Sequence, residues 1–413
     1  MGKLNGNFDE LLQKYADLLT KVGLNVQPNQ TIILYANVRQ FRLVRLITHS
    51  AYILGANEVI VKWRDSILQK DFLLHTTNDR LSTPYEFEKL AAKELMAKKA
   101  SRLSLLSESP AEFDGIDSKR IQAYQQMMTK VKVPVTKATM NNQISWVVAG
   151  AAGPEWAHLV YPNSPVHEAI DQLWHAIFKM ARVISDDPLS AWQSHITFLS
   201  DRADWLNQQR FDQLHYYSDK TDITVGLPQG HIWEAAGATD SAGNFFIPNI
   251  PTEEVFTAPD NQRINGTVFS TLPLSSNGQL IKNIRLTFKD GKVINANAST
   301  GQSLLRQLID TDAGSRSLGE VALVPQNSPI AKAQTIFFNT LFDENASDHM
   351  ALGAAYPFSV KNGTSKSDAE LTQLGLNQSD IHVDFMMGSD DMMIDGITKN
   401  GKQVPIMKNG NWA

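Results

Sequence analysis

The residues of this 413-residue chain best suited to chemistry are acids and histidines in its second half. Asp343-Glu-Asn-Ala-Ser-Asp-His349 sets three acids and a histidine directly before the small, apolar run 350–355. Acids beside a buried segment destabilise a fold unless a cation offsets them. Taken as the start of a helix capped by Asn345 or Ser347, the stretch lets Glu344 and His349 converge on one ion. The alternative is an N-capped helix whose acids simply favour its dipole. His382-Val-Asp384 lies in an alternating run, so both side chains point to one side of a strand and can share an ion. Glu253-Glu254 and Glu320 each open an apolar strand-like run. Adjacent strand residues face opposite ways, so only one of Glu253 and Glu254 enters a site unless a bulge re-aims the other. Together these side chains form a hard nitrogen-and-oxygen donor set, large enough for two divalent ions with one or two bridging carboxylates. Zinc, cobalt and manganese all accept such ligands.

The inventory narrows the chemistry further. The chain has no cysteine, which removes disulfides, thiolate metal sites and a thiol nucleophile. Lys plus Arg number 38 against 43 Asp plus Glu, so no global positive field recruits nucleic acid or an anionic membrane. Residues 1–13 lack an apolar secretory core and no uncharged run is long enough to span a bilayer, so a cytoplasmic protein is expected. Phosphate-binding glycine loops, a nucleophile elbow, H-E-x-x-H and EF-hand loops are absent. His167, Asp171 and His175 share one helix face, but a solvated face opposite Ile170, Leu173 and Ile177 explains them without a metal.

Positioning these groups requires two kinds of architecture. Apolar residues at helical spacing over 8–22 predict an amphipathic helix. Strands at 31–36, 58–63, 102–106 and 144–149 then alternate with helices at 39–54, 85–99 and 118–130, the pattern of an α/β domain with a mostly parallel sheet. Residues 164–217 read as helical and serve as a connector. Beyond them the texture becomes short strands and turn dipeptides, Asn265-Gly266, Asn277-Gly278, Asp290-Gly291 and Asn400-Gly401. The clearest hairpin joins 284–288 to 293–296. The expected division is an N-terminal α/β domain over 1–218, including the connector at about 164–218, and a β-rich α+β metal-binding domain over 219–413.

The segments Asn249-Ile-Pro-Thr-Glu-Glu-Val-Phe-Thr-Ala-Pro259, Leu318-Gly-Glu-Val-Ala-Leu323, Leu341-Phe-Asp-Glu-Asn-Ala-Ser-Asp-His349 and His382-Val-Asp-Phe385 closely resemble, in order, those of the thermophilic metalloaminopeptidases, the aminopeptidase T, aminopeptidase S and PepS group. The likeness spans essentially the whole chain. It implies an exopeptidase with two divalent ions (zinc, cobalt or manganese) held by Glu254, Glu320, Glu344, His349, His382 and Asp384, with Tyr356 assisting catalysis. It further implies a cytoplasmic homodimer that acts on peptides with a free N-terminus. Asp348 departs from the smaller or neutral residue common in relatives, adding charge while leaving ligation intact.

In such a reaction a carboxylate must relay the water proton to the leaving amine; Glu253 is the expected carrier if a bulge turns it inward, while the Tyr356 hydroxyl donates to the oxyanion. Two competing readings are a nucleotide-dependent α/β enzyme and a non-catalytic metal-binding protein.

Overall fold

The computed structural model describes residues 7–107, 110–276 and 279–413, and these fall into two compact units, one drawn from the described residues up to 193 with 237–251 and the other from 194–236 with those from 252 on. The Asn277-Gly278 signal and the first six residues of the amino-terminal stretch lie outside the described residues.

The first unit contains the expected parallel sheet. Its strand order is Asn249–Ile250, Trp146–Gly150, Ser101–Leu106, Thr31–Asn37, Glu58–Arg64, with every pairing parallel. The apolar run Thr31–Asn37 is buried except at Tyr35, as a strand covered on both faces must be. Helices Phe8–Leu18, Phe41–Ile53 and Glu86–Ala97 fall where the periodicity puts them, the first closing in a π-turn, Leu19–Gly23. Helix Ser118–Met140 runs past the expected end at 130 and carries Pro134 inside it.

The second unit is built from antiparallel sheets, giving the α/β-then-β-rich order read from the sequence. An eight-stranded sheet includes the hairpin Arg285–Lys289 and Lys292–Asn297, turned by Asp290 and Gly291 at φ 48° and 80°. Both turn residues take positive φ, the geometry of the tight hairpin turn that Asp-Gly favours. Asn400-Gly401 also turns, with Thr398 N–H donating to the Lys402 carbonyl at 3.0 Å.

Three local expectations are corrected. Asn265-Gly266 is not a turn but part of strand Ile264–Phe269; a β-carbon on Gly266 would lie 2.3 Å from the Asp222 carbonyl oxygen, so close strand approach explains the glycine. The connector's last residues, Gln213–Tyr217, form a strand with Leu214 and Tyr216 buried in alternation, a period of two that the preceding helix Pro188–Gln209 masked. Residues following Asp343 do not begin a helix: Thr340–Glu344 ends one, and His349–Gly353 is a wholly buried strand. A central strand buried on both faces carries no polar alternation, so its sequence is indistinguishable from a buried helix.

Candidate metal centre

A five-stranded antiparallel sheet of the second unit positions the site. Its order is His382–Met386, His349–Gly353, Leu318–Leu323, Val255–Thr257, Glu234–Ala235. Directly opposed residues share a face. Glu320 opposes Ala351, which opposes Asp384; Ala322 opposes His349, and Gly353 opposes His382. Alternation then puts Glu320, His349, His382 and Asp384 on one face.

A bulge makes this possible. The ladder slips between Leu318 and Glu320, so Leu318 opposes Leu352 while Glu320 opposes Ala351, residues of opposite orientation. Leu318 therefore stays in the core as Glu320 turns to the site. Gly319 is required at the slip, since a β-carbon there would lie 2.3 Å from the Ala354 carbonyl oxygen. The bulge sought at Glu253 thus occurs at Gly319, and a glycine inside an apolar strand run was its sequence signal.

The donor atoms converge as two triads that share one residue. Glu254, Glu320 and His349 form one group able to hold an ion, and Glu320, His382 and Asp384 form another. His349 Nε2 lies 3.2 Å from Glu254 Oε2 and 3.7 Å from Glu320 Oε1. His382 Nε2 lies 3.3 Å from both Glu320 Oε2 and Asp384 Oδ1. Glu344, at the end of the Thr340–Glu344 helix, lies outside both triads, although its carboxyl feels the charges of Asp384, Glu254, His349 and Glu320.

The imidazole geometry suits metal ligation. His349 Nδ1 donates to the Ser347 carbonyl at 3.1 Å and His382 Nδ1 to the Ala354 carbonyl at 2.8 Å. A neutral ring then presents an Nε2 lone pair, yet each Nε2 faces carboxylate oxygens that also only accept. Acceptors aimed at acceptors in a buried site need a cation, and a hard nitrogen-and-oxygen set fits a divalent one. The electrostatics report the same conflict. Burial pushes the Glu254 carboxyl above its ordinary range, and burial with the neighbouring Asp384 and Glu254 pushes Glu344 far above. Burial alone would lower both imidazoles, but Glu254 and Glu320 around His349, and Tyr356, Asp384 and Glu320 around His382, outweigh it and hold both well above the ordinary histidine value.

The neighbouring expected residues separate by role. The Tyr356 ring centroid lies 5.0 Å from that of His382 and stacks on Phe358 at 5.0 Å. His382 favours its phenolate, but burial and the carboxylates Glu320, Asp384 and Glu344 prevail, keeping the hydroxyl protonated as a donor. Glu253 does not join the cluster as the expected proton carrier would. Its Oε2 lies 3.6 Å from His195 Nε2, and its backbone N–H donates to Asn345 Oδ1 at 2.7 Å, while adjacent Glu254 meets His349. His195, on the long helix, had no distinguishing sequence signal. Asp343 accepts N–H bonds from Phe337 and Asn339, and Asp348 accepts one from Val324, so both brace loops. Burial pushes each of these carboxyls up to about 7. His167, Asp171 and His175 are exposed on helix Val166–Met180.

A sheet face that buries carboxylates and imidazoles with their acceptor atoms convergent belongs to a divalent-metal enzyme. From residue 8 to 412 the chain matches the thermophilic metalloprotease (M29) family model, and it belongs to that family. It is 47% identical to aminopeptidase PepS of Streptococcus thermophilus, over 98% of this chain and 99% of that one. It is 43% identical to aminopeptidase AmpS of Bacillus subtilis over the same shares. The solved structure of wild-type AmpT from Thermus thermophilus superposes with a TM-score of 0.93 at 35% identity, over 98% of this chain and all of that one. Membership of a metalloprotease family displaces the non-catalytic and nucleotide-dependent readings.

Proposed function

We propose that Glu254, Glu320, Glu344, His349, His382 and Asp384 of the second unit would hold two divalent ions, zinc, cobalt or manganese, with Glu320 common to both donor groups, and that the chain releases N-terminal residues from peptides there. The chain is a metalloaminopeptidase, in keeping with its family and with relatives that are all named aminopeptidases. The observation that carries the two-ion reading is the pair of triads with Glu320 in common. Two ions of this kind, when bound, lower the pKa of water and polarise a carbonyl.

The chain's own residues supply the rest. Glu344, outside both triads, would hold an ion through one carboxylate oxygen only, leaving the other to take the water's proton and return it to the leaving amine. This role passes from Glu253, whose side chain turns to His195. The Tyr356 hydroxyl, held protonated, donates to the developing oxyanion. Exopeptidase selectivity follows because an internal peptide bond offers no α-amine, leaving a buried acceptor unpaired. The same reading makes the second unit, which takes in most of 219–413, the catalytic domain and the first its α/β companion, in a cytoplasmic homodimer serving peptide turnover. Its support is the family likeness; no described helix is long and apolar enough to cross a membrane.

The test is turnover of one peptide with its N-terminus free and acetylated. Cleavage of the free form alone is expected, whereas equal cleavage of both would make the enzyme an endopeptidase.

A further inference from the structure

Glu234 occupies the same sheet face as the metal centre and has no part in the chemistry above. It opposes Phe256, which opposes Ala322, which opposes His349, a row across four strands. Opposed residues share a face, so this acid and the donor set look the same way. Two strand spacings separate its strand from that of Glu320, about 10 Å at the usual separation.

The surroundings of Glu234 are those of a binding wall. Phe256, Tyr356 and Phe358, all half-buried, contact one another edge-on or stacked, the Phe256 centroid lying 6.1 Å from that of Tyr356 and 6.2 Å from that of Phe358. The Glu234 carboxyl is half-buried and has no hydrogen-bond or ion-pair partner among the described residues. Burial, unopposed by any cation, pushes it up to about 7. A carboxyl kept this way is destabilising unless a cation arrives to meet it.

We propose that Glu234 is a specificity-determining residue that receives the cationic side chain of an N-terminal lysine or arginine, whose apolar stem lies along Phe256 and its aromatic neighbours. The inference rests on the aminopeptidase reading. A substrate's α-amine sits two bonds from the scissile carbonyl and stays beside the donor set, too near to meet Glu234. A long basic side chain covers that distance, with its methylenes on aromatic carbon and its charged head at the carboxylate.

The test compares arginyl, lysyl and norleucyl p-nitroanilides on metal-loaded wild type and Glu234→Gln, with metal content and thermal midpoint measured on both. Norleucine matches the apolar stem without the charge. The expected result is a fall of about tenfold or more in the ratio of kcat/KM for arginyl over norleucyl substrate, and likewise for lysyl, at unchanged metal content. Glu234→Asp should recover part of that ratio. An unchanged ratio, or equal loss on all three substrates, would overturn the proposal. No hydrolysis of any anilide by wild type would instead overturn the aminopeptidase reading, and this inference with it.

Discussion

The two five-stranded sheets of this chain bury polar groups in opposite ways. In the parallel sheet they are hydroxyls and amides that satisfy one another: Ser101 Oγ and Ser145 Oγ lie 2.8 Å apart, and Gln30 Nε2 donates to both. In the antiparallel sheet Glu320 sits within a wholly buried strand and faces His349 and His382, whose Nδ1 atoms are taken by backbone carbonyls and whose Nε2 atoms point at carboxylate oxygens. One sheet is complete as a protein. The other is complete only with cations, and that difference marks where function resides.

The strongest break between them is metal removal. Chelation should abolish amino-acyl hydrolysis, and zinc, cobalt or manganese should restore it, because the sequence has no cysteine and no G-x-S-x-G nucleophile elbow. The thermal midpoint of the chelated protein should rise as metal is added back, since ions that bind only the folded state stabilise it by mass action. Full activity of metal-free protein would erase the distinction between the sheets.

Substitutions within the site sharpen it. His382→Ala and Asp384→Ala should lower both bound metal and activity, whereas Tyr356→Phe should retain metal and lose about 2.7–4 kcal/mol of transition-state stabilisation, read mainly in kcat. A Tyr356→Phe enzyme with wild-type kcat would remove the hydroxyl from the mechanism.

Glu234 gives a smaller, pH-dependent effect. Its folded-state pKa is raised from 4.5 to about 7, so the folded protein binds this proton more tightly than the unfolded chain. That contribution is fully present below about pH 4.5 and is lost as pH rises through 7. Glu234→Gln should therefore match wild type near pH 4 and exceed it near pH 8, by about 1–3 kcal/mol in denaturant titrations. A difference that does not grow with pH would show the carboxyl to be stabilised by something else. The smallest effect belongs to the parallel sheet: Ser101→Ala should cost about 1 kcal/mol and leave bound metal unchanged, as Ser145 keeps its Gln30 donor.

The legible parts of the sequence were those with one dominant period. Thr31–Asn37 and Glu58–Arg64 announced themselves as strands between helices, and the spacing of His382 and Asp384 put both on one strand face. Where two periods compete the reading failed. His349–Gly353 looked like a helix because both its faces are buried, and Gln213–Tyr217 was absorbed into the helix before it. Gly319 is how Glu320 reaches the site, and a single strand glycine gives no sign of which way the ladder slips around it. The split between Glu253 and Glu254 depends on His195, distant in sequence, and no local pattern encodes such a contact. Nor does local pattern tell that 237–251 returns to the first unit to add Asn249–Ile250 to the parallel sheet.

The proposed metal centre stands on the sharing of Glu320 by two ions. It is tested most directly by counting bound zinc per chain, after chelation and reloading, in wild type and in Glu320→Ala. Two ions in wild type, with binding at both positions weakened in Glu320→Ala, is the predicted result. One ion in wild type, or two retained tightly without Glu320, would contradict it.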